Sequence, residues 1–113
     1  DNALGGQIGR LVNEDQTPFE GQWVHYVGVY VGNGNSNGFL IYRNGIRVDN
    51  QNSSSGSYTR MRNTTSVLSI GELQTVSQHA NGTIARVKIW DTDLTPVQIL
   101  DLYHRELQSI NNI

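Results

Sequence analysis

From Thr83 to Trp90 the side chains alternate, with Ala85, Val87 and Ile89 on one side and Arg86 and Lys88 on the other. A period of two marks a half-buried strand. Asp91-Thr92-Asp93 breaks the alternation, and the period then changes. Ile99, Leu102, Tyr103 and Leu107 recur at helical spacing behind Thr95-Pro96-Val97-Gln98. Thr95 predicts the cap, Pro96 suits the first helical position, and Gln98 completes a capping box. Leu94 and Ile99 are spaced as a hydrophobic staple. The helix is expected to lie on a sheet.

The same reading places the other elements. Gln22 to Val31 puts Trp23, His25, Val27, Val29 and Val31 on one face and Val24, Tyr26 and Tyr30 on the other. With few polar residues on either side, it predicts a central strand buried on both faces. Gly32 to Gly38 is a loop. Phe39–Arg43 and Ile46–Asp49 flank Asn44-Gly45, a strong hairpin signal, because a type I′ turn needs positive φ twice. Asn50 to Ser57 reads as a polar, Ser-rich loop, Val67 to Leu73 as a strand and Thr75 to Asn81 as a loop. Gln7 to Asn13 is a weaker strand, followed by a turn around Thr17-Pro18. Five or six strands, long polar loops and one late helix predict an all-β fold, an antiparallel β-sandwich with a short C-terminal helix.

The ordered set Trp23-Val-His25, Leu40-Ile-Tyr-Arg-Asn-Gly45, Leu68-Ser-Ile-Gly71, Gly82-x-Ile84-x-x-Val87-x-Ile89-Trp90 and Leu94-Thr-Pro-x-x-Ile99 through Leu102-Tyr103 resembles a known family. It is similar to the laminin-G-like and pentraxin-like branch of the concanavalin A-like lectin/glucanase jelly rolls, over roughly Gly21 to Leu107. The length predicts one domain across residues 1–113, and the resemblance implies a recognition or adhesion role. Members of the family usually carry further strands before the one matching Trp23. The chain is therefore expected to be the C-terminal part of a longer one or an unusually small version of the fold. Members also often carry acidic residues after the isoleucine matched by Ile84, where Ala85 and Arg86 stand here.

Composition narrows the partners. The chain has 113 residues, a net charge of −2 and no cysteine, which removes disulfides and thiolate metal sites. Charges of both signs are scattered, leaving no basic footprint for nucleic acid. No apolar run approaches a membrane span, so membrane insertion is not expected. Lys88 is the single lysine against seven arginines, and the surface is polar but weakly charged. That tilts localisation toward an extracellular or virion surface.

Candidate chemistry lies mostly in loops. Asn33, Asn35 and Asn37 imitate the front of a calcium loop, but no carboxylate completes it, and neutral ligands hold calcium poorly. A plain strand connection competes with that reading. Glu72 and Gln74 stand where pentraxin-like relatives place calcium ligands. The resemblance thus implies at most a weak calcium site on Glu72 with Asp91 or Asp93, against solvated loops with local backbone bonds. Asp91 and Asp93 also suit the turn into the helix and its positive end. Tyr58, Tyr26 and Tyr30 are candidates for an exposed aromatic surface, and His79 joins Gln74 as a loop ligand. Trp23, His25, Val87, Ile89, Trp90, Ile99 and Leu102 are expected in the core. Asn52, Asn63 and Asn81 head glycosylation-type triplets.

No strand shows Glu-x-Asp or Glu-x-x-x-Glu, the pattern of a carboxylate pair across a sugar-binding groove. No nucleophile or phosphate-loop signature occurs. An enzyme is not expected, and a glycoside hydrolase relative is the third reading. The first is a module binding glycan or protein through its loops and sheet edge. The second is a structural component of a virion or extracellular assembly, packing through the sandwich. An uncovered sheet edge also predicts self-association or a partner chain.

Overall fold

Asn44 and Gly45 both hold positive φ, 51° and 80°, as a two-residue type I′ turn demands. In the computed structural model this turn joins β4 (Phe39–Arg43) to β5 (Ile46–Arg47). A strand from Tyr26–Tyr30, β3, lies along the other side of β4, and both pairings are antiparallel. Two short N-terminal strands, β1 (Gly6–Gln7) and β2 (Arg10–Leu11), precede them. The structure describes residues 6–61, 65, 67–73 and 78–111. They fall into two compact units, one of Asp1–Arg60 with Thr92–Ile113 and one of Met61–Asp91.

In the larger unit, register decides which residues are buried. Val27 stands opposite Tyr42 and Val29 opposite Leu40, and directly opposed residues share a face. The helix α1 (Pro96–Asn111) covers that face. Val27, Val29, Tyr42 and Ile99 form the buried cluster, with Leu40 and Leu94 packed against it. Ile99 is fully buried, and Leu102 is buried one turn on. The Gln98 N–H donates to Thr95 Oγ1 (3.2 Å) and the Thr95 N–H to Gln98 Oε1 (2.9 Å). This reciprocal pair satisfies two donors that a bare helix start leaves open. The hairpin tip also rests on the helix, because a Cβ on Gly45 would meet Leu100 Cδ1 at 2.7 Å.

The polar segment read as a loop from Asn50 to Ser57 contains two strands, β6 (Gln51–Asn52) and β7 (Ser55–Gly56). Leu11 pairs with Gln51 and Arg10 with Asn52, while Gln7 pairs with Ser55 and Gly6 with Gly56. The Ser53 N–H donates to the Gly9 carbonyl at 3.0 Å, keeping the register between the two short ladders. Main-chain bonding holds this pair, and its side chains are largely exposed. Burial-based patterning has nothing to detect in such a strand.

Several core expectations are corrected. The ladder begins at Tyr26, so Trp23 lies ahead of the sheet and is 51 % exposed. The strand is buried on its helix face alone, with Tyr26 exposed on the other, and it sits at the edge of its sheet among the described residues. His25 is half-buried, its ring 6.0 Å from that of Tyr103.

In the unit Met61–Asp91, β8 (Glu72–Leu73) pairs antiparallel with β9 (Gln78–His79). The expected strand from Val67 to Leu73 is thereby reduced to its last two residues. The stretch from Thr83 to Trp90 forms no strand, and Arg86 sits at φ 59°. A left-handed residue in mid-run ends the two-residue alternation. Val87, Ile89 and Trp90, expected in the core, are accordingly exposed. No helix among the described residues is long and apolar enough to cross a membrane.

Candidate ligand-binding face

The face of β3 and β4 turned away from α1 carries Tyr26, Gly28 and Tyr30 opposite Arg43, Ile41 and Phe39. Tyr30 and Phe39 stack, with ring centroids 4.3 Å apart and planes 16° from parallel. Such a cross-strand aromatic pair stabilises the sheet and holds both rings at one angle. At Gly28 no heavy atom lies within 4 Å of where a Cβ would stand, so the surface between the tyrosines is open. Arg43 lies 3.9 Å over the Phe19 ring and pairs with Glu14, while the Tyr26 hydroxyl donates to Gln16 Oε1 at 2.9 Å. Residues 14–19 thus fix one end of the face through a cation–π contact and polar bonds.

The loop between β3 and β4 forms the other end. The Gly34 N–H donates to the Tyr30 hydroxyl at 3.0 Å, tying the loop to the stacked rings. The Asn33 side chain accepts from the Asn35 N–H (3.0 Å) and donates to Asn37 Oδ1 (3.1 Å), while Asn35 Nδ2 donates to the Asn33 carbonyl (2.9 Å). These amides shape the loop locally, as Asn side chains do in turns. Ser36 is buried at its base, with its hydroxyl against that of Ser54. Each amide still has unused donor or acceptor capacity on an exposed rim.

On the β5 side of β4, Asp49 holds the strands in place. Its side chain is wholly shielded from solvent. Oδ1 accepts from the Ile41 N–H (2.9 Å) and Arg47 Nε (2.8 Å); Oδ2 accepts from Arg10 Nε (2.7 Å) and the second Arg47 nitrogen (2.9 Å). One carboxylate thereby joins β2, β4 and the end of the hairpin. The hydrogen bonds from Arg47, against the opposing effect of burial, hold its pKa well below the usual carboxylate range; Ile41 N–H and Arg10 add to this.

The remaining site candidates are dispersed. Tyr58 is half-buried, His79 is exposed, and Gln74 lies outside the described residues. Glu72 stands opposite His79 in the β8–β9 ladder, with Oε2 3.5 Å from its Nδ1. Asp91 and Asp93 are exposed at the turn before the helix. Among the described residues no three His, Cys, Asp or Glu side chains converge to hold a metal.

Comparison with known sequences bears on what this arrangement is. The sequence profile of the concanavalin A-like lectin/glucanases superfamily, in its laminin-G-like form, matches residues 3–100. The chain belongs to that superfamily. No curated protein and no solved structure matches it. Within this laminin-G-like chain, sequence reasoning missed Phe39, Arg43 with Phe19, and Asp49. Phe39 carried a usable signal, since an aromatic directly across a hairpin-type connection from Tyr30 is a pairing candidate. Asp49 carried none, because Arg10, which ties it to β2, lies 39 residues away in sequence.

Proposed function

We propose that this chain is a non-catalytic recognition module that binds glycan or protein at the outer face of β3 and β4. The observation that carries the reading is the stacked Tyr30–Phe39 pair beside open space at Gly28, with Tyr26 at one end and the asparagine loop at the other. Flat rings stack on the apolar face of a sugar or an apolar side chain, and amides at the rim bond hydroxyls or peptide groups. The laminin-G-like form of the matching profile supports binding over catalysis. It also supports closure of the antiparallel sheets into a jelly-roll sandwich, and the polar, lysine-poor composition supports an extracellular or virion setting.

A glycan array probed with the wild type and with Tyr30→Ala tests the reading. Wild-type binding to a limited glycan set, reduced roughly tenfold or more by the substitution, is expected. Equal binding by both proteins would place the ligand elsewhere. A second reading, a structural component of a virion or extracellular assembly, is favoured by a separate observation. Val67, Leu68, Ile70 and Ile84 are all more than half exposed within residues 61–91. Exposed apolar side chains in such number favour a surface that other chains cover.

A further inference from the structure

The sequence of β3 reads the same in both directions, Tyr26-Val27-Gly28-Val29-Tyr30. The Asn44 N–H donates to the His25 carbonyl (2.8 Å) and the Val31 N–H to the Gly38 carbonyl (3.0 Å). Residues 25, 27, 29 and 31 therefore turn their main-chain groups toward β4, since bonded and non-bonded pairs alternate in an antiparallel ladder. The N–H and C=O groups of Tyr26, Gly28 and Tyr30 turn the other way. On that side no strand adjoins β3 among the described residues.

We propose that a second copy of this chain pairs its own β3 antiparallel with this edge, about a two-fold axis midway between the two Gly28 residues. In that register Gly28 faces the partner's Gly28, Tyr26 faces the partner's Tyr30 and Val27 faces the partner's Val29. Each outward-pointing N–H and C=O of Tyr26, Gly28 and Tyr30 then meets a complementary group, and each bonded pair exchanges both of its hydrogen bonds. The sheets of the two copies become one continuous sheet, with both α1 helices on the same side. On the other side, Tyr26 of each copy joins the stacked Tyr30–Phe39 pair of its neighbour, extending the aromatic face across the axis.

The choice of edge and occupant follows from the residues. The β3 strand carries no charge and no proline, the usual protections of an exposed edge. The opposite edge, β5, is two residues long and carries Arg47. Palindromic order matches an occupant of identical sequence, because only then do tyrosine, valine and glycine all fall opposite partners of the same class and size. The self-pairing does not depend on the ligand reading, and it can fail while glycan binding stands.

The chain has no cysteine, so one introduced thiol reports one position. Across the proposed axis the two Cα atoms of residue 28 lie about 5.5 Å apart, inside the disulfide range of about 4.4–6.8 Å. Those of residue 26 lie about 15 Å apart, beyond it. Sedimentation of the 113-residue chain should show a concentration-dependent dimer. Under mild oxidation Gly28→Cys should run as a cross-linked dimer and Tyr26→Cys as a monomer. Gly28→Pro removes an edge donor and no ladder bond within the chain. It should raise the dimer dissociation constant roughly tenfold or more. A wild type that stays monomeric to about 1 mM overturns the proposal. So does a dimer in which Gly28→Cys fails to cross-link, or in which Tyr26→Cys cross-links as readily.

Discussion

Replacing Asp49 with alanine should cost about 3–5 kcal/mol of folding stability, most of it through Arg10 and Ile41. The Arg47 bonds lower the carboxyl pKa most, yet they count for less in stability, because that side chain is 47 % exposed and solvent screening leaves such a pair about 0.2–1 kcal/mol. Arg10 is 17 % exposed and donates at 2.7 Å to a carboxylate with no exposure. A hydrogen bond to a charged group in that setting contributes about 1.5–3 kcal/mol. The Ile41 N–H would lose its acceptor in mid-sheet, at a further cost of about 1–3 kcal/mol. Urea denaturation followed by circular dichroism measures the total. Double-mutant cycles then apportion it, with the Asp49–Arg10 coupling expected to exceed the Asp49–Arg47 coupling. A total below about 1 kcal/mol, or a larger coupling to Arg47, would refute the reasoning. The same group sets an acid response. A carboxyl with a depressed native pKa stabilises the fold above its unfolded value of about 4, and that contribution is lost as the pH falls from there toward the native value. Below about pH 4 the wild type should therefore lose stability more steeply than Asp49→Asn.

Three further outcomes are expected. Gly45→Ala should destabilise by about 1–3 kcal/mol, since it combines φ 80° with a Cβ driven against Leu100; thermal melting checks it. Ile99→Ala should cost about 3–5 kcal/mol and Trp90→Ala under about 1 kcal/mol, because the first is fully buried and the second 41 % exposed; urea denaturation of both should show the contrast. Calorimetric titration should find calcium bound no tighter than about 0.1–1 mM, and a tight site that survives Glu72→Ala would contradict the assignment of that residue.

Where local rules act alone, the sequence was sufficient. The Asn44-Gly45 turn needs only two positive φ values, and the Thr95–Gln98 box needs only residues three apart. Both formed where their residues stand. The stripe ending in Ile99 and Leu102 met the sheet because Val27 and Tyr42 offered it a matching face. Patterning failed where structure depends on distant main-chain pairing. The β6 and β7 strands bond to residues 6–11 with exposed side chains, so polar Gln51, Asn52 and Ser55 disguised them as a loop. From Thr83 to Trp90 the alternation was sound, but alternation only permits a strand. With Arg86 left-handed, none formed. The candidate face divided in the same way. Tyr26 and Tyr30 were legible as aromatics on one strand face, whereas the Arg43–Phe19 contact and the Asp49 clamp join residues far apart in sequence.

Mapping a bound ligand by amide chemical shifts tests the recognition face most directly. With the strongest glycan from the array titrated into the labelled chain, shifts should cluster at Tyr26, Gly28, Tyr30, Gly34, Asn35 and Phe39. Shifts concentrated instead in residues 61–91, or no saturable shifts with any array-positive glycan, would contradict the account.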